Sequence, residues 1–367
     1  MGALGWNGFL TFAILYWIVP RIFQTQLYSK KLANAHFWIG TLGILFYAIP
    51  MYWAGFTQGL MWKQFNQEGL LQYSNFLETV LQIVPMYYMR AIGGAMYLGG
   101  VFIMLYNVVK TVQSGTLLEN EEAHAAPLAN EAHEVHRHWH SWIERRPIQM
   151  AIWATVAILI GGLVEMIPTF LIDSNVPTIA SVKPYTSLEL QGRDVYIREG
   201  CVNCHTQMVR PFRSETERYG EYSKAGEFVY DRPFLWGSKR TGPDLHRLGA
   251  KYPHSWHYHH MLDPTSMSPG SIMPPYPWLF DQKLDIATTP TKIEAMQKMG
   301  VPYPKNYAQV ANQDLQKQAA EISEALGKEG IEVKPDREII ALIAYLQRLG
   351  TDIKVKESQT ATAGLGR

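Results

Sequence analysis

The feature that most limits the fold of this chain is the uneven distribution of its apolar residues. Four runs of about 20 mostly apolar residues occupy the first half, and none follows residue 172. They cover residues 4–23, 35–56, 86–109 and 148–171. A bilayer core is about 30 Å thick, so a helix of about 20 apolar residues can cross it. We therefore expect four transmembrane helices followed by a domain outside the membrane.

The overall composition conceals this division. The chain has 367 residues, 47% of them hydrophobic, and a net charge of +1, values that also suit a soluble protein. The part after residue 172 has about 190 residues, within the usual size of one domain. Internal repeats, phosphate-binding glycine loops, nucleic-acid motifs and long basic runs are absent. No nucleic-acid partner is expected.

Both cysteines of the chain lie in the stretch REGCVNCHTQM, residues 198–208. A structural zinc site would need a second cysteine pair, which the sequence lacks. A thioredoxin-like pair would follow a strand, whereas the preceding residues have helical spacing that ends at Gly200. Cys201, Cys204 and His205 form the C-x-x-C-H pattern of covalent c-type haem, with the histidine as iron ligand. A bare redox pair is the alternative.

A methionine is the expected second axial ligand of this haem. Met208 is too close in sequence to His205 to reach the opposite face of the ring. Met273 lies in SPGSIMPPYPWLF, where prolines stiffen an extended loop that could hold a thioether against iron. Met267 is the next candidate, and ordinary packing of Met273 is the alternative without a ligand role.

Charges around the apolar runs predict the orientation. Under an alternating topology, the loop at residues 59–85 carries only Lys63 as a basic residue. The segments on the other side carry more: Arg21, Lys30, Lys31, Lys110, Arg137, Arg145 and Arg146. The positive-inside rule then places the N-terminus, the 59–85 loop and the C-terminal domain outside the cytoplasm, where bacteria attach c-type haem. The run from Leu4 has no basic residue before it and no cleavage site, so we expect a retained helix.

Several features have two interpretations. Arg90 and Glu165 lie near the outer ends of apolar runs, where they could snorkel to the interface or contact propionates of haems in a neighbouring subunit. Glycine pairs at 40/43, 93/94, 99/100 and 161/162 predict close helix packing. Residues 112–147 form a linker rich in His, Glu and Ala, in which His136, His138 and His140 could alternatively bind a metal.

The stretches REGCVNCHTQMVRPF, GSKRTGPDL and MPPYPWL resemble the mono-haem subunit (FixO) of cbb3-type cytochrome c oxidases over residues 140–350. The resemblance implies His205 and Met273 as the axial ligands. The stretch KRTGPDLHRLG resembles the G-P-x-L segment of small cytochromes c, which implies that the Pro243 carbonyl receives the N–H of the proximal histidine. The last helix, in DREIIALIAYLQRLGT, looks like the terminal helix that crosses the first helix of a cytochrome c.

Residues 1–112 resemble the last helices of the catalytic subunit of the same oxidase, notably in GALGWNGFLTFAILYWIVPR. The chain therefore looks like a fusion of two subunits, beginning just after the family's His-x-His ligand pair. Of twelve histidines, only His36 lies in a predicted helix of this part. A b-type haem needs inward-facing histidine ligands, and a binuclear copper site needs further cysteines. We expect b-type haems and copper only in a partner chain.

These inferences predict a mostly α protein with four transmembrane helices and a periplasmic, class I-like cytochrome c domain with long loops. The expected segments are three oxidase-like helices at 1–111, a cytoplasmic linker at 112–147, an anchor helix at 148–171, a mono-haem domain at 172–355 and a disordered tail at 356–367. The expected function is electron transfer, through one covalent haem c, within a proton-pumping cbb3-type oxidase of the bacterial inner membrane. The expected partners are the catalytic subunit and a donor, either a di-haem c-type subunit or soluble cytochrome c. The alternative is an anchored carrier for another reductase, such as nitric oxide reductase.

Overall fold

A computed structural model describes residues 2–117, 139–172 and 178–354. Within these ranges the chain is mostly helical, and its only β pairings are the isolated bridges Phe65–Leu71 and Lys283–Arg337. This confirms the expected mostly α class. The described residues divide into two compact units. The first comprises those up to Trp62 and those within Glu78–Gly161. The second comprises Lys63–Leu77 and the described residues from Gly162 on.

Five helices precede the C-terminal domain. After a π-helical turn at Gly2–Gly8, they are α1 (Phe9–Ile22), α2 (Lys30–Trp62), α3 (Phe76–Gln113), α4 (Trp139–Glu144) and α5 (Pro147–Leu171). Four helical segments are long and apolar enough to cross a membrane: Gly2–Ile22, Lys30–Trp62, Phe76–Gln113 and Pro147–Thr169. The four expected spans are therefore confirmed.

Helices α2 and α3 extend beyond their apolar runs, so their connection comprises residues 63–75 instead of 59–85. A helix does not end where its residues become polar, because each backbone N–H still finds its i−4 carbonyl. A helix begins or ends where a side chain or another group replaces this backbone hydrogen-bond partner. At the start of α3, the Asn75 side chain accepts a hydrogen bond from the Leu77 backbone N–H at 3.0 Å.

Glycines bring α2 and α3 into close contact in the first unit. A Cβ added at Gly43 would lie 2.7 Å from the Gly93 carbonyl oxygen, and one added at Gly93 would lie 2.6 Å from that of Gly43. By contrast, an added Cβ at Gly94, Gly99, Gly161 or Gly162 would meet no described atom within 4 Å. The expected small-residue packing therefore occurs at Gly43 and Gly93. An added Cβ would also lie 3.1 Å from the Phe9 ring at Gly40 and 3.4 Å from His36 at Gly100, whereas the other four glycines have no such described neighbour.

The second unit contains eight further described helices. They are α6 (Ser187–Arg198), α7 (Arg213–Tyr219), α8 (His254–Leu262), α9 (Pro264–Met267), α10 (Trp278–Asp281), α11 (Thr289–Lys298), α12 (Tyr307–Lys328) and α13 (Glu338–Arg348). Thr186 and Glu189 form a capping box that begins α6. Long non-helical stretches around residues 204–212 and 229–253 match the expectation of long loops.

The first and last helices of this domain, α6 and α13, pack across each other as the sequence predicts. A Cβ added at Gly192 would lie 1.8 Å from the Ala341 carbonyl oxygen, so the two backbones touch there. The apolar face predicted for the last helix is fully buried: Ile339, Ile340, Ile343, Leu346 and Leu349. Helix α12, which the sequence analysis did not anticipate, packs on both α6 and α13 and completes the core.

Candidate functional site

The predicted haem-attachment residues lie on one tight turn. Helix α6 ends at Arg198, and Gly200 adopts a φ of +72°, a left-handed conformation that favours glycine. A 3₁₀ turn follows from Cys201, and the His205 N–H donates to the Cys201 carbonyl at 2.9 Å. The Cys201 thiol is half-buried and that of Cys204 is exposed, and neither is in a disulfide. The turn therefore presents two free thiols and one imidazole from five consecutive residues.

His205 is positioned by the loop that contains Gly242 and Pro243. Its Nδ1 lies 2.8 Å from the Pro243 carbonyl oxygen, which can only accept, so Nδ1 carries the proton. A Cβ at Gly242 would lie 2.3 to 2.8 Å from three ring atoms of His205, so only glycine allows this approach. Burial lowers the pKa of His205, which favours the neutral ring. A neutral imidazole with Nε2 free is the form that binds iron, so the residues fit a haem.

Met273 lies on the proline-rich segment between α9 and α10. Its backbone N–H donates to Ser271 Oγ at 3.2 Å, and the Tyr276 N–H donates to the Met261 carbonyl at 2.9 Å. The Met273 side chain is half-buried against the same apolar cluster that Cys201 contacts. Met267, the second candidate, ends the short helix α9 and is not part of that cluster as the described residues define it. Ligation by Met273 stays a prediction.

A buried ionic network, which the sequence analysis missed, holds the residues that follow His205. The Arg240 guanidinium pairs with Glu215 and Asp244, and it donates to Thr206 Oγ1 at 2.7 Å and to the Met208 carbonyl at 3.1 Å. A buried cation is stable only when it is paired and hydrogen-bonded in this way. The network ties residues 206–208 to the loop that contains Pro243. Arg240 and Asp244 both lie in the stretch GSKRTGPDL, whereas Glu215 lies 25 positions before Arg240.

A second arrangement that the sequence did not indicate joins the 63–77 segment to helix α7 within the second unit. The segment folds back through hydrogen bonds from Asn66 N to Leu70 O and from Gln72 N to Gln64 O. Arg213 donates to the Gly69 carbonyl at 2.6 Å, and Arg218 donates to the Tyr73 carbonyl at 2.7 Å. These hydrogen bonds reach backbone carbonyls of the segment, and the Arg213 guanidinium also lies 4.5 Å from the Phe65 ring centroid. No sequence motif indicates these contacts.

The other candidate residues from the sequence are Arg90, Glu165 and the histidines of the linker. The Arg90 guanidinium lies 5.0 Å from the Tyr87 ring centroid, and the backbone carbonyl of Glu165 accepts from Thr169 Oγ1 at 3.2 Å. Among the described residues no group of three or more His, Cys, Asp or Glu side chains could hold a metal ion. His136, His138 and most of the 112–147 linker lie outside the described residues, as does the predicted tail.

Long apolar helices together with a C-x-x-C-H turn and a crossed-helix domain are the features of a membrane-bound cytochrome. Comparison with known proteins names the family. The sequence model described as "Cytochrome C oxidase, mono-heme subunit/FixO" matches residues 140–353, and that described as "Cytochrome C and Quinol oxidase polypeptide I" matches residues 1–96. Because the first covers more than half of the chain, the chain belongs to the mono-haem subunit family of cytochrome c oxidase. The expected combination of two oxidase subunits in one chain is confirmed.

Curated relatives match the part of the chain similar to subunit I. The cytochrome c oxidase subunit 1 homolog of Agrobacterium tumefaciens is 46% identical over 127 residues, which are 34% of this chain and 23% of that protein. Cytochrome c oxidase subunit 1 of Rhodobacter capsulatus is 46% identical over 112 residues, 30% of this chain and 21% of that protein. The cbb3-type cytochrome c oxidase subunit CcoN1 of Stutzerimonas stutzeri is 40% identical over 123 residues, 33% and 26% of the two chains. The chain spans about a quarter of the length of these relatives.

Proposed function

We propose that this chain transfers electrons within a proton-pumping cbb3-type oxidase, through one haem c bound covalently to Cys201 and Cys204. His205 and Met273 are its axial ligands. Bound haem c supplies a one-electron iron couple, and histidine–methionine ligation raises its potential. The observation that carries this proposal is the hydrogen bond from His205 Nδ1 to the Pro243 carbonyl, which leaves Nε2 free beside two free thiols.

The residues around the attachment turn have distinct roles in this proposal. Pro243 accepts the imidazole proton and sets the ring orientation, and Gly242 leaves room for the ring. Arg240 bonds to Thr206, Met208, Glu215 and Asp244, so the residues directly after the turn are held by a buried network. A rigid ligand frame reduces the reorganisation that accompanies a change of iron charge.

The proposal includes a location and partners. Charge asymmetry around the helices supports an inner-membrane protein whose domain after residue 172 and whose 63–75 connection are periplasmic. Oxygen is then reduced by a catalytic subunit that holds b-type haems and copper. Electrons come from a di-haem c-type subunit or a soluble cytochrome c. The match of residues 1–96 to oxidase subunit I supports this over a carrier for nitric oxide reductase, which would need only one anchor helix.

The axial-ligand proposal is tested by a Met273→Ala variant, with Met267→Ala as the matched control. We expect Met273→Ala to lose the weak near-infrared methionine-to-iron band and to bind carbon monoxide, because the sixth position opens. Met267→Ala should change neither property. If the band is retained in Met273→Ala and lost in Met267→Ala, the ligand is Met267.

A second measurement on the same material tests the haem content. The purified chain alone should give a c-type pyridine haemochrome spectrum, and its haem should stay attached on a denaturing gel. Double replacement of Cys201 and Cys204 by serine should remove that signal. A b-type spectrum in stoichiometric amount from the chain alone would contradict the assignment of b-type haems to a partner.

A further inference from the structure

An exposed pair of aromatic rings lies on the loop that precedes Pro243. Phe234 and Trp236 stack with their ring centroids 4.5 Å apart and their planes at 7°. Their exposed fractions are 48% and 38%, although the Leu235 side chain between them is buried. Large aromatic surfaces left exposed and ordered are typical of protein interfaces, where Trp and Phe supply contact area at low entropic cost.

The rings are held on a rigid base. Arg193, fully buried on α6, donates to the carbonyls of Arg232 and Pro233 and pairs with Asp231 at 3.3 Å. The Trp236 ring also packs edge-on against the buried Phe228 ring at 5.7 Å. A loop whose backbone is hydrogen-bonded to a buried arginine loses little conformational freedom when a partner binds.

Two cations flank the aromatic rings. The Arg232 guanidinium lies 5.9 Å from the centroid of Phe234, and Lys239 is exposed three residues after Trp236. Residues 232–239 include no acidic side chain, and in the described part of the chain neither cation forms a salt bridge. The charge of this surface is therefore available to an external anion.

The same loop runs along the attachment turn. The Trp236 carbonyl accepts from the Gln207 N–H at 2.9 Å, and the Gly242 N–H donates to the Cys204 carbonyl at 2.9 Å. Residues 236–242 thus border Cys204 and His205 from one side, with Trp236 and Lys239 facing solvent. A protein bound on this surface would lie next to the residues that carry the haem.

We propose that Arg232, Phe234, Trp236 and Lys239 form a docking surface, the cationic aromatic patch, for an acidic electron-transfer protein. This inference rests on the proposed function. The partner covers the two rings with its apolar centre and places carboxylates opposite Arg232 and Lys239. One electron passes between the two haem proteins, one being oxidised and the other reduced, and no bond forms or breaks. Cations at the rim steer the encounter, and the rings set the lifetime of the complex.

Binding is measured with the detergent-solubilised, haem-loaded protein. The probe is a soluble cytochrome of net negative charge in which zinc replaces iron, so that no electron passes. We expect the double variant R232E/K239E to weaken binding about tenfold or more at low ionic strength, and F234A/W236A to weaken it comparably. The matched controls are K317E/K334E, which changes the net charge equally at exposed lysines, and V310A/M299A, which removes exposed apolar area elsewhere. Both controls should stay within about twofold of the wild type.

Two further readouts separate the patch from the proposed function. All variants should keep the c-type spectrum and be reduced by ascorbate with a small mediator; failure of the wild type in this test would contradict the proposed function itself. A zinc cytochrome of net positive charge should bind the wild type weakly and R232E/K239E no worse. Equal binding of the negative probe to the patch variants and their controls would overturn the docking surface.

Discussion

The membrane helices and the C-terminal domain differ in where their large apolar side chains lie. In the helices, large apolar residues such as Trp53 and Ile158 face outward, whereas Asn107 and Thr111 are fully buried and bond to the backbone around Ser29 and Tyr28. In the domain, the buried side chains of α13 include three isoleucines and two leucines. Whether a large apolar side chain is buried therefore depends on whether lipid or water surrounds that part of the chain. Lipid gives no drive to bury apolar area, so packing and hydrogen bonds hold the helices, while water drives the domain to form an apolar core.

The strongest test of this contrast is a backbone contact inside the domain. We expect Gly192→Val to prevent the crossing of α6 and α13, because its Cβ would lie 1.8 Å from the Ala341 carbonyl. The domain should then fail to fold and to retain haem, as measured by haem staining and protease resistance. Gly327→Val, at a helical glycine with nothing within 4 Å, is the control and should leave both unchanged. Normal haem content in Gly192→Val would contradict the crossing.

The corresponding test in the membrane helices should have a smaller effect. Gly43→Val should force α2 and α3 apart, because its Cβ would lie 2.7 Å from the Gly93 carbonyl oxygen. This contact holds one helix pair rather than the core of a whole domain, so we expect partial loss of packing, seen as a lower thermal transition in detergent. Gly94→Val, next to open space, should leave the transition unchanged. Equal transitions for the two variants would show that glycine contact does not hold this helix pair.

Truncating an apolar side chain should destabilise the protein more in the domain core than on a membrane helix. Ile340→Ala in the domain core should lower the free energy of unfolding by about 2–5 kcal/mol, because a fully buried side chain leaves a cavity. Ile158→Ala on α5, where the side chain is exposed, should change it by about 0.5 kcal/mol or less. Denaturant titration of each variant, followed by tryptophan fluorescence, measures both. A larger effect at Ile158 would reverse the assignment of burial in the two regions.

The smallest expected effect is a pH dependence specific to the domain. Burial alone would raise the pKa of Glu227, but hydrogen bonds from His246 and Arg247 outweigh it and lower that pKa to about 2. Because the folded-state pKa is depressed, the stabilisation is present above the unfolded value of about 4.3 and is lost as pH falls towards 2. Melting temperatures at pH 5 and pH 2.5 should therefore differ more in the wild type than in Glu227→Gln. The exposed carboxylate variant Glu321→Gln should behave as the wild type does.

The C-x-x-C-H turn and the membrane helices could be located from the sequence because their signals are local. Cys201, Cys204 and His205 are adjacent in sequence, and the apolar runs are each continuous. The ends of α2 and α3 were predicted less well, since a helix continues through polar residues while its backbone bonds persist. The five apolar positions predicted for the last helix are buried, because their 3.6-residue periodicity is visible without knowing what they pack against. The burial of Leu342 and Tyr345 on the same helix was not predicted.

Two local features of the sequence are enough to indicate the class of this protein: apolar runs long enough for a bilayer, and the C-x-x-C-H spacing that suits covalent haem. The partners of the arginines in the domain become clear only in the tertiary structure. Arg240 pairs with Glu215 and Asp244 near His205. Arg213 and Arg218 bind the 63–77 segment, and Arg193 supports the cationic aromatic patch. These contacts join residues from 4 to 145 positions apart. A charged residue in a sequence shows that a partner is needed, but only the folded chain brings a particular partner within hydrogen-bonding distance.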